Sequence, residues 1–166
     1  MTVPSADLEL GIVGNGSVSA LIDRNARIVW CCVPSFDGDP VFCSLLSPTS
    51  HDGGFFDVVL EGRNASRQFY IENTAVLVTR LTADDGSALE ITDHAPRFKQ
   101  HGRMFHPMGL VRTIRPIAGS PRITLRLRPL AGYGVRVPER TFGSNHLRFL
   151  LGELVLRATT DAPLPM

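Results

Sequence analysis

The chain has 166 residues, 43% of them hydrophobic and 20% charged. That is the balance of one ordinary globular domain, long enough to bury a core without disulfide or metal staples. Lys and Arg number 17 against 16 Asp and Glu, a formal net charge of +1, so there is no general field to draw in nucleic acid or anionic lipid.

Taken in chain order, short apolar runs alternate with turn residues, and few stretches read as a long amphipathic helix. Gly11-Ile12-Val13-Gly14-Asn15-Gly16 is read as a turn or bulge between strands, since no helix follows it to cradle a phosphate. Val18–Asp23 and Arg27–Val33 flank the polar turn Arg24-Asn25-Ala26 and read as a hairpin. Pro34–Asp39 reads as an ordered loop. Pro40–Leu46 follows Asp39, an N-cap residue type, and carries Pro at the first helical position, which predicts one or two helical turns. His51-Asp52 beside Gly53-Gly54 reads as a turn. Phe55–Leu60 is a strand, followed by a turn at Glu61-Gly62-Arg63-Asn64. Strands are then predicted at Gln68–Glu72 and Ala75–Thr82. Asp84-Asp85-Gly86 accepts positive φ and turns the chain into Leu89–Thr92. Lys99–Met108 reads as a long ordered loop. Leu110–Ile117 and Arg122–Leu127 are predicted to pair around Ala118-Gly119-Ser120-Pro121. His146–Leu151 and Leu154–Ala158 pair through Gly152. Asp161–Met166 reads as a strand leaving into a connector, or as a truncation.

The predicted fold class is all-β, an antiparallel sandwich with one or two short helical turns. No repeat, low-complexity tract or internal linker interrupts it. The Arg residues between 97 and 148 alternate with apolar ones, as in Arg122–Arg128, which is the outer face of a strand rather than a polyanion site. Cys31, Cys32 and Cys43 lack a C-x-x-C spacing and read as reduced, buried thiols. The first residues carry no basic region and no apolar run, so neither a signal peptide nor a membrane span is expected and a cytoplasmic location is.

Candidate chemistry is sparse. His94, His101 and His106 have no zinc-ligand spacing and fall in expected loops, so no metal and no cofactor is expected. No serine elbow is present, and Cys31 and Cys32 lie inside a strand. Asp37 and Asp39 form the most attractive carboxylate pair, beside Trp30 and Phe36. An Asp in such a Pro-rich loop more commonly caps a turn or helix.

An ordered series of segments then points further. Gly11–Gly16, Ala20-Leu21-Ile22-Asp23-Arg24, Ile28-Val29-Trp30 and Pro34-Ser35-Phe36-Asp37 resemble the start of the N-terminal domain of prokaryotic family-15 glycoside hydrolases, the glucoamylase/trehalase-like group. Tyr70–Thr79, Ile91–Arg97, Leu110–Ile114, Leu127-Arg128-Pro129 through Tyr133-Gly134, and Gly143–Arg148 continue the series. Ser17, Ser35 and Gly38 depart from the family pattern, which has Arg, Arg and Ser there. The resemblance implies a β-sandwich of the super-sandwich type that precedes an (α/α)6 barrel of the same polypeptide. It implies that both catalytic Glu residues belong to that barrel, so Glu9, Glu61, Glu72, Glu90, Glu139 and Glu153 inherit no catalytic role. The sandwich would pack on the barrel and lend it a loop, with Trp30, Pro34, Phe36, Asp37 and Asp39 as rim or contact residues. Cut from its barrel it would expose an apolar face and self-associate. The alternatives are a stand-alone carbohydrate-binding or protein-interaction module, and a self-contained hydrolase using Asp37 and Asp39.

Overall fold

A computed structural model describes residues 8–46 and 53–162. Among them it holds strands and no helix, in antiparallel sheets. The first sheet runs in the order β1 (Gly11–Gly14), β2 (Ser19–Ile22), β3 (Ile28–Cys32), β5 (Phe55–Leu60), β12 (Ile123–Arg128), with β4 (Pro40–Phe42) paired to β3. The second is β11 (Val111–Ala118), β8 (Ala88–His94), β7 (Leu77–Ala83), β6 (Arg63–Tyr70). A short hairpin, β9 (Phe98–Gln100) with β10 (Arg103–Phe105), and a three-stranded sheet, β13 (Glu139–Phe142), β14 (His146–Leu151), β15 (Leu154–Thr159), complete the set.

The sandwich core lies between the two large sheets, and the two-residue period of the strands decides who enters it. Leu77, Leu81 and Ala83 of β7 face inward, as do Leu89 and Ile91 of β8. They meet Val58 and Leu60 of β5, and Val13, Ala20, Ile22 and Ile28 from the other end of the first sheet. Each fully buried Leu or Ile stabilises the fold by about 1.5–3 kcal/mol. Gly11 lets β1 approach β7 closely, since a Cβ there would stand 2.5 Å from Leu77 Cδ2. Leu151 and Leu154 anchor the three-stranded sheet to the same core.

Side chains also lock the layers. Arg112 on β11 makes a two-pronged pair with Asp93 on β8, Nε to Oδ1 at 2.7 Å and Nη2 to Oδ2 at 3.0 Å. Its Nη1 donates to the Phe56 carbonyl of the opposite sheet at 3.2 Å, with the guanidinium 4.6 Å from the Phe56 ring centre. The Tyr70 hydroxyl donates to the Ile12 carbonyl at 2.9 Å and accepts the Ile12 N–H at 2.7 Å, which occupies both backbone groups of a residue on edge strand β1. An edge with its polar groups satisfied is a poorer template for aggregation.

The hairpins at 24–26, 84–86 and 152 form as the turn chemistry predicts. Several expectations need correction. Pro40–Leu46 contains no helical turn: Pro40–Phe42 is strand β4, paired with β3 through Cys31↔Phe42 and Cys32↔Pro40, and a turn follows. Pro40, Val41, Phe42, Cys43 and Ser44 are all buried, which a one-faced surface helix cannot achieve, and Pro tolerates the first position of a strand. Leu110–Ile117 and Arg122–Leu127 do form β11 and β12, but they do not pair. β11 pairs β8 and β12 pairs β5, so the Gly119 link crosses between sheets. Gly11–Gly14 is a strand rather than a turn, and only Asn15-Gly16-Ser17 turns. β6 begins at Arg63, inside the predicted turn, and its exposed polar residues hid it. Lys99–Met108 is partly β-hairpin rather than loop. The His51-Asp52 turn and residues 163–166 of the tail lie outside the described residues.

Candidate functional site

The predicted rim segment leaves β3 at Trp30–Cys32 and ends at Asp39, where β4 begins. Trp30 is half-buried and stands opposite Leu21 in the β2–β3 pairing. Pro34 is exposed and follows a cis peptide bond. The Gly38 N–H donates to the Ser35 carbonyl at 3.0 Å, closing a turn that carries Phe36, 56% exposed, at its tip. Asp37 is exposed beside it. Its Oδ1 accepts from the Ser35 hydroxyl at 2.6 Å, and that bond holds its carboxyl below the usual carboxylate range.

Asp39 does something the sequence did not suggest. It caps no helix. Its carboxylate accepts the backbone N–H groups of Gly132 and of Tyr133, the latter at 2.8 Å. The turn it grips is closed by Ala131 and Arg136, whose N–H and C=O groups exchange bonds of 2.8 and 3.0 Å. The Leu130 N–H also donates to the Val41 carbonyl at 3.0 Å. Gly132, Tyr133 and Gly134 all sit in the left-handed region, at φ 63°, 56° and 92°. For Tyr133 that conformation costs about 1–2 kcal/mol. Two hydrogen bonds to a carboxylate, at about 1.5–3 kcal/mol each, exceed that cost. The loop and the turn are therefore one rigid unit, with Phe36 and Tyr133 projecting from it, Tyr133 63% exposed.

The predicted residues thus separate by role. Phe36 and Asp37 face solvent, Trp30 and Asp39 hold the structure, and Asp39 is not free to act as the second member of a hydrolytic pair. Tyr133 joins the site although it was not predicted there; the Gly-Tyr-Gly triplet, with glycines where positive φ is needed, is the signal that could have found it. The histidines stay apart. His94 ends β8 rather than lying in a loop, and its buried Nδ1 has no hydrogen-bond partner. His101 turns the β9–β10 hairpin, and His106 Nδ1 is 2.5 Å from the Ser17 hydroxyl. Among the described residues no three His, Cys, Asp or Glu side chains are placed to hold a metal ion. No helix among them is long and apolar enough to cross a membrane.

Asn15 is the other residue that sequence reasoning passed over. It is buried, its Nδ2 donates to the Pro96 and Pro107 carbonyls, both at 2.8 Å, and its Oδ1 accepts from the Ser17 and Val18 N–H groups. One side chain therefore fixes both ends of the segment that carries β9 and β10.

A family model described as trehalase-like, N-terminal, matches residues 5–149. The chain belongs to that family. As a trehalase-like N-terminal domain it has archaeal relatives. It is 29% identical to a trehalase of Thermoplasma volcanium over 136 residues, covering 77% of this chain and 20% of that protein. It is 31% identical to trehalase 1 of Sulfolobus acidocaldarius over 143 residues, 85% of this chain and 22% of that one. Trehalase 2 of the same organism is 28% identical over 77% of this chain and 19% of its own length. The domain therefore spans about a fifth of the length of the relatives it matches. No solved structure matches it.

Proposed function

We propose that the chain is the single, non-catalytic N-terminal β-sandwich of a family-15-type glycoside hydrolase of the glucoamylase/trehalase-like group, acting on α-glucosidic bonds in carbohydrate metabolism. In this reading it packs on a catalytic (α/α)6 barrel of the same polypeptide, stabilises it, and lends the Trp30–Asp39 loop to the rim of the active site. The carrying observation is that a trehalase-like N-terminal match covers residues 5–149 while each trehalase relative is about five times as long as the part it shares with this chain. The site geometry supports the loop's role, because Phe36 and Asp37 face solvent from a braced turn. Three buried, unpaired thiols accord with a cytoplasmic setting. Exposed Val135, Val137 and Phe142 favour self-association of the chain when no barrel covers them.

Two measurements test this. The chain alone is expected to release no glucose from trehalose or malto-oligosaccharides, and release at an enzymatic rate would overturn the non-catalytic reading. Grafted in place of the matching N-terminal fifth of Sulfolobus acidocaldarius trehalase 1, it is expected to give a folded protein that melts above the same enzyme lacking any N-terminal domain. No gain in melting temperature would sink the stabilising role. Sedimentation showing only monomer at high concentration would remove self-association.

A further inference from the structure

We infer that the outer edge of β12 accepts a further strand, an extended segment of the same polypeptide that alternates apolar and acidic side chains. The inference rests on the reading of this domain as part of a longer enzyme, and it names the kind of segment that seats here. Three observations carry it. First, β12 has inward-facing side chains that are left uncovered. Ile123 and Leu125 stand opposite Leu60 and Val58, which are both 3% exposed. Residues directly opposite each other in a ladder share a face, so Ile123 and Leu125 point into the sandwich. Yet they are 40% and 43% exposed. The core is open along this edge.

Second, the backbone of β12 is set to pair. The Glu61 N–H donates to the Arg122 carbonyl at 3.0 Å, which fixes the phase of the ladder. Arg122, Thr124 and Arg126 therefore turn their backbone groups towards β5, while Ile123 and Leu125 turn theirs away. No strand lies on that side among the described residues. The other three strands that end the two large sheets are blunted. Tyr70 occupies the Ile12 N–H and C=O on β1, Pro116 and a bulge interrupt β11, and a bulge follows Arg63 on β6. Of the four, β12 alone runs without such a device.

Third, charge selects the occupant. Arg122, Thr124, Arg126 and Arg128 make up the outer face, where Asp57 engages Arg126 at 3.0 and 2.6 Å. Two copies paired antiparallel about Thr124, Leu125 or Arg126 would set Arg against Arg, which disfavours a second molecule of this chain. A strand with acidic outer and apolar inner side chains would meet the arginines and cover Ile123 and Leu125. The trehalase relatives have the length to supply one, since the matched part is about a fifth of each.

The full chain is titrated by NMR with a capped octapeptide alternating valine and glutamate, and with its valine–lysine counterpart as control. Saturable binding of the glutamate peptide is expected, weaker at high salt and with the largest amide shifts at Ile123 and Leu125, and none of the lysine peptide. Leu125→Pro removes a donor that points away from β5, so it is expected to weaken binding at least about tenfold in a chain that still unfolds cooperatively. Arg122→Glu combined with Arg128→Glu is expected to reverse the preference between the peptides, which a misfolded chain would not do. Absence of binding, equal binding of both peptides, or binding undiminished in Leu125→Pro overturns the acceptor edge. Amide exchange in the grafted Sulfolobus acidocaldarius trehalase 1 reads the source of the strand. Exchange at Ile123 and Leu125 is expected to slow at least about tenfold relative to the chain alone. A graft that melts higher with those amides still fast refutes the strand from the same polypeptide and leaves the stabilising role standing. Slowed amides in a graft with no gain in melting temperature support the strand and sink the stabilising role.

Discussion

Arg112 and Asp93 are each almost wholly buried, their side chains 5% and 3% exposed. Two charges in a core are tolerable only when every polar atom is satisfied, and here the guanidinium serves the carboxylate, a backbone carbonyl and an aromatic face together. Arg112→Ala leaves a bare carboxylate between the sheets and is expected to cost about 3–5 kcal/mol in urea unfolding. Arg112→Met combined with Asp93→Leu removes both charges and is expected to cost less than the single substitution. A double variant as weak as Arg112→Ala would show that the charges matter for more than mutual neutralisation. Sequence reading found both residues inside resemblance segments but could not bring them together, because contact across a sheet leaves no mark on local spacing. Asp39 was mis-assigned for the same reason. Its Asp-Pro context looks like a helix start, while its real partners lie near position 132.

At the scale of elements, turn chemistry was legible and partnership was not. Asp84-Asp85-Gly86 and the Gly152 turn announce their hairpins because positive φ selects glycine. β11 and β12 look like a third hairpin by the same logic, yet each joins a different sheet, β11 completing the edge of β8 and β12 that of β5. β6 and the β9–β10 hairpin were missed or shortened because exposed strands have no apolar run to betray them. The β9–β10 hairpin depends on Asn15 rather than on a core of its own. Asn15→Ala strands two carbonyls and two N–H groups and is expected to cost about 2 kcal/mol or more. Amide hydrogen exchange at Phe98–Phe105 should accelerate while β7 and β8 keep their protection. Uniform loss of protection would mean that the hairpin is integral to the global fold rather than a clamped appendage.

Considered as a whole molecule, the domain carries its reactive groups where water does not reach. Burial pushes all three thiols up, Cys31 from 9.0 to about 12. The folded state therefore keeps protons that the unfolded chain loses, so stability is full at neutral pH and falls as pH rises from about 9 towards about 12. Urea midpoints measured along an alkaline series should decline, and Cys31→Ser should flatten the decline. Rapid labelling of the native thiols at neutral pH would contradict the burial. The crossing link at Gly119 has a consequence for how the protein is made. β5, near residue 55, finds its outer neighbour only when residues 123–128 arrive. On a ribosome the first sheet would emerge with one edge unsealed, the backbone N–H and C=O groups on the outer side of β5 lacking their ladder partners until most of the chain has left the exit tunnel. Synthesis speed across the intervening stretch thus becomes a hazard for the nascent chain, and chaperone demand should peak before β12 appears.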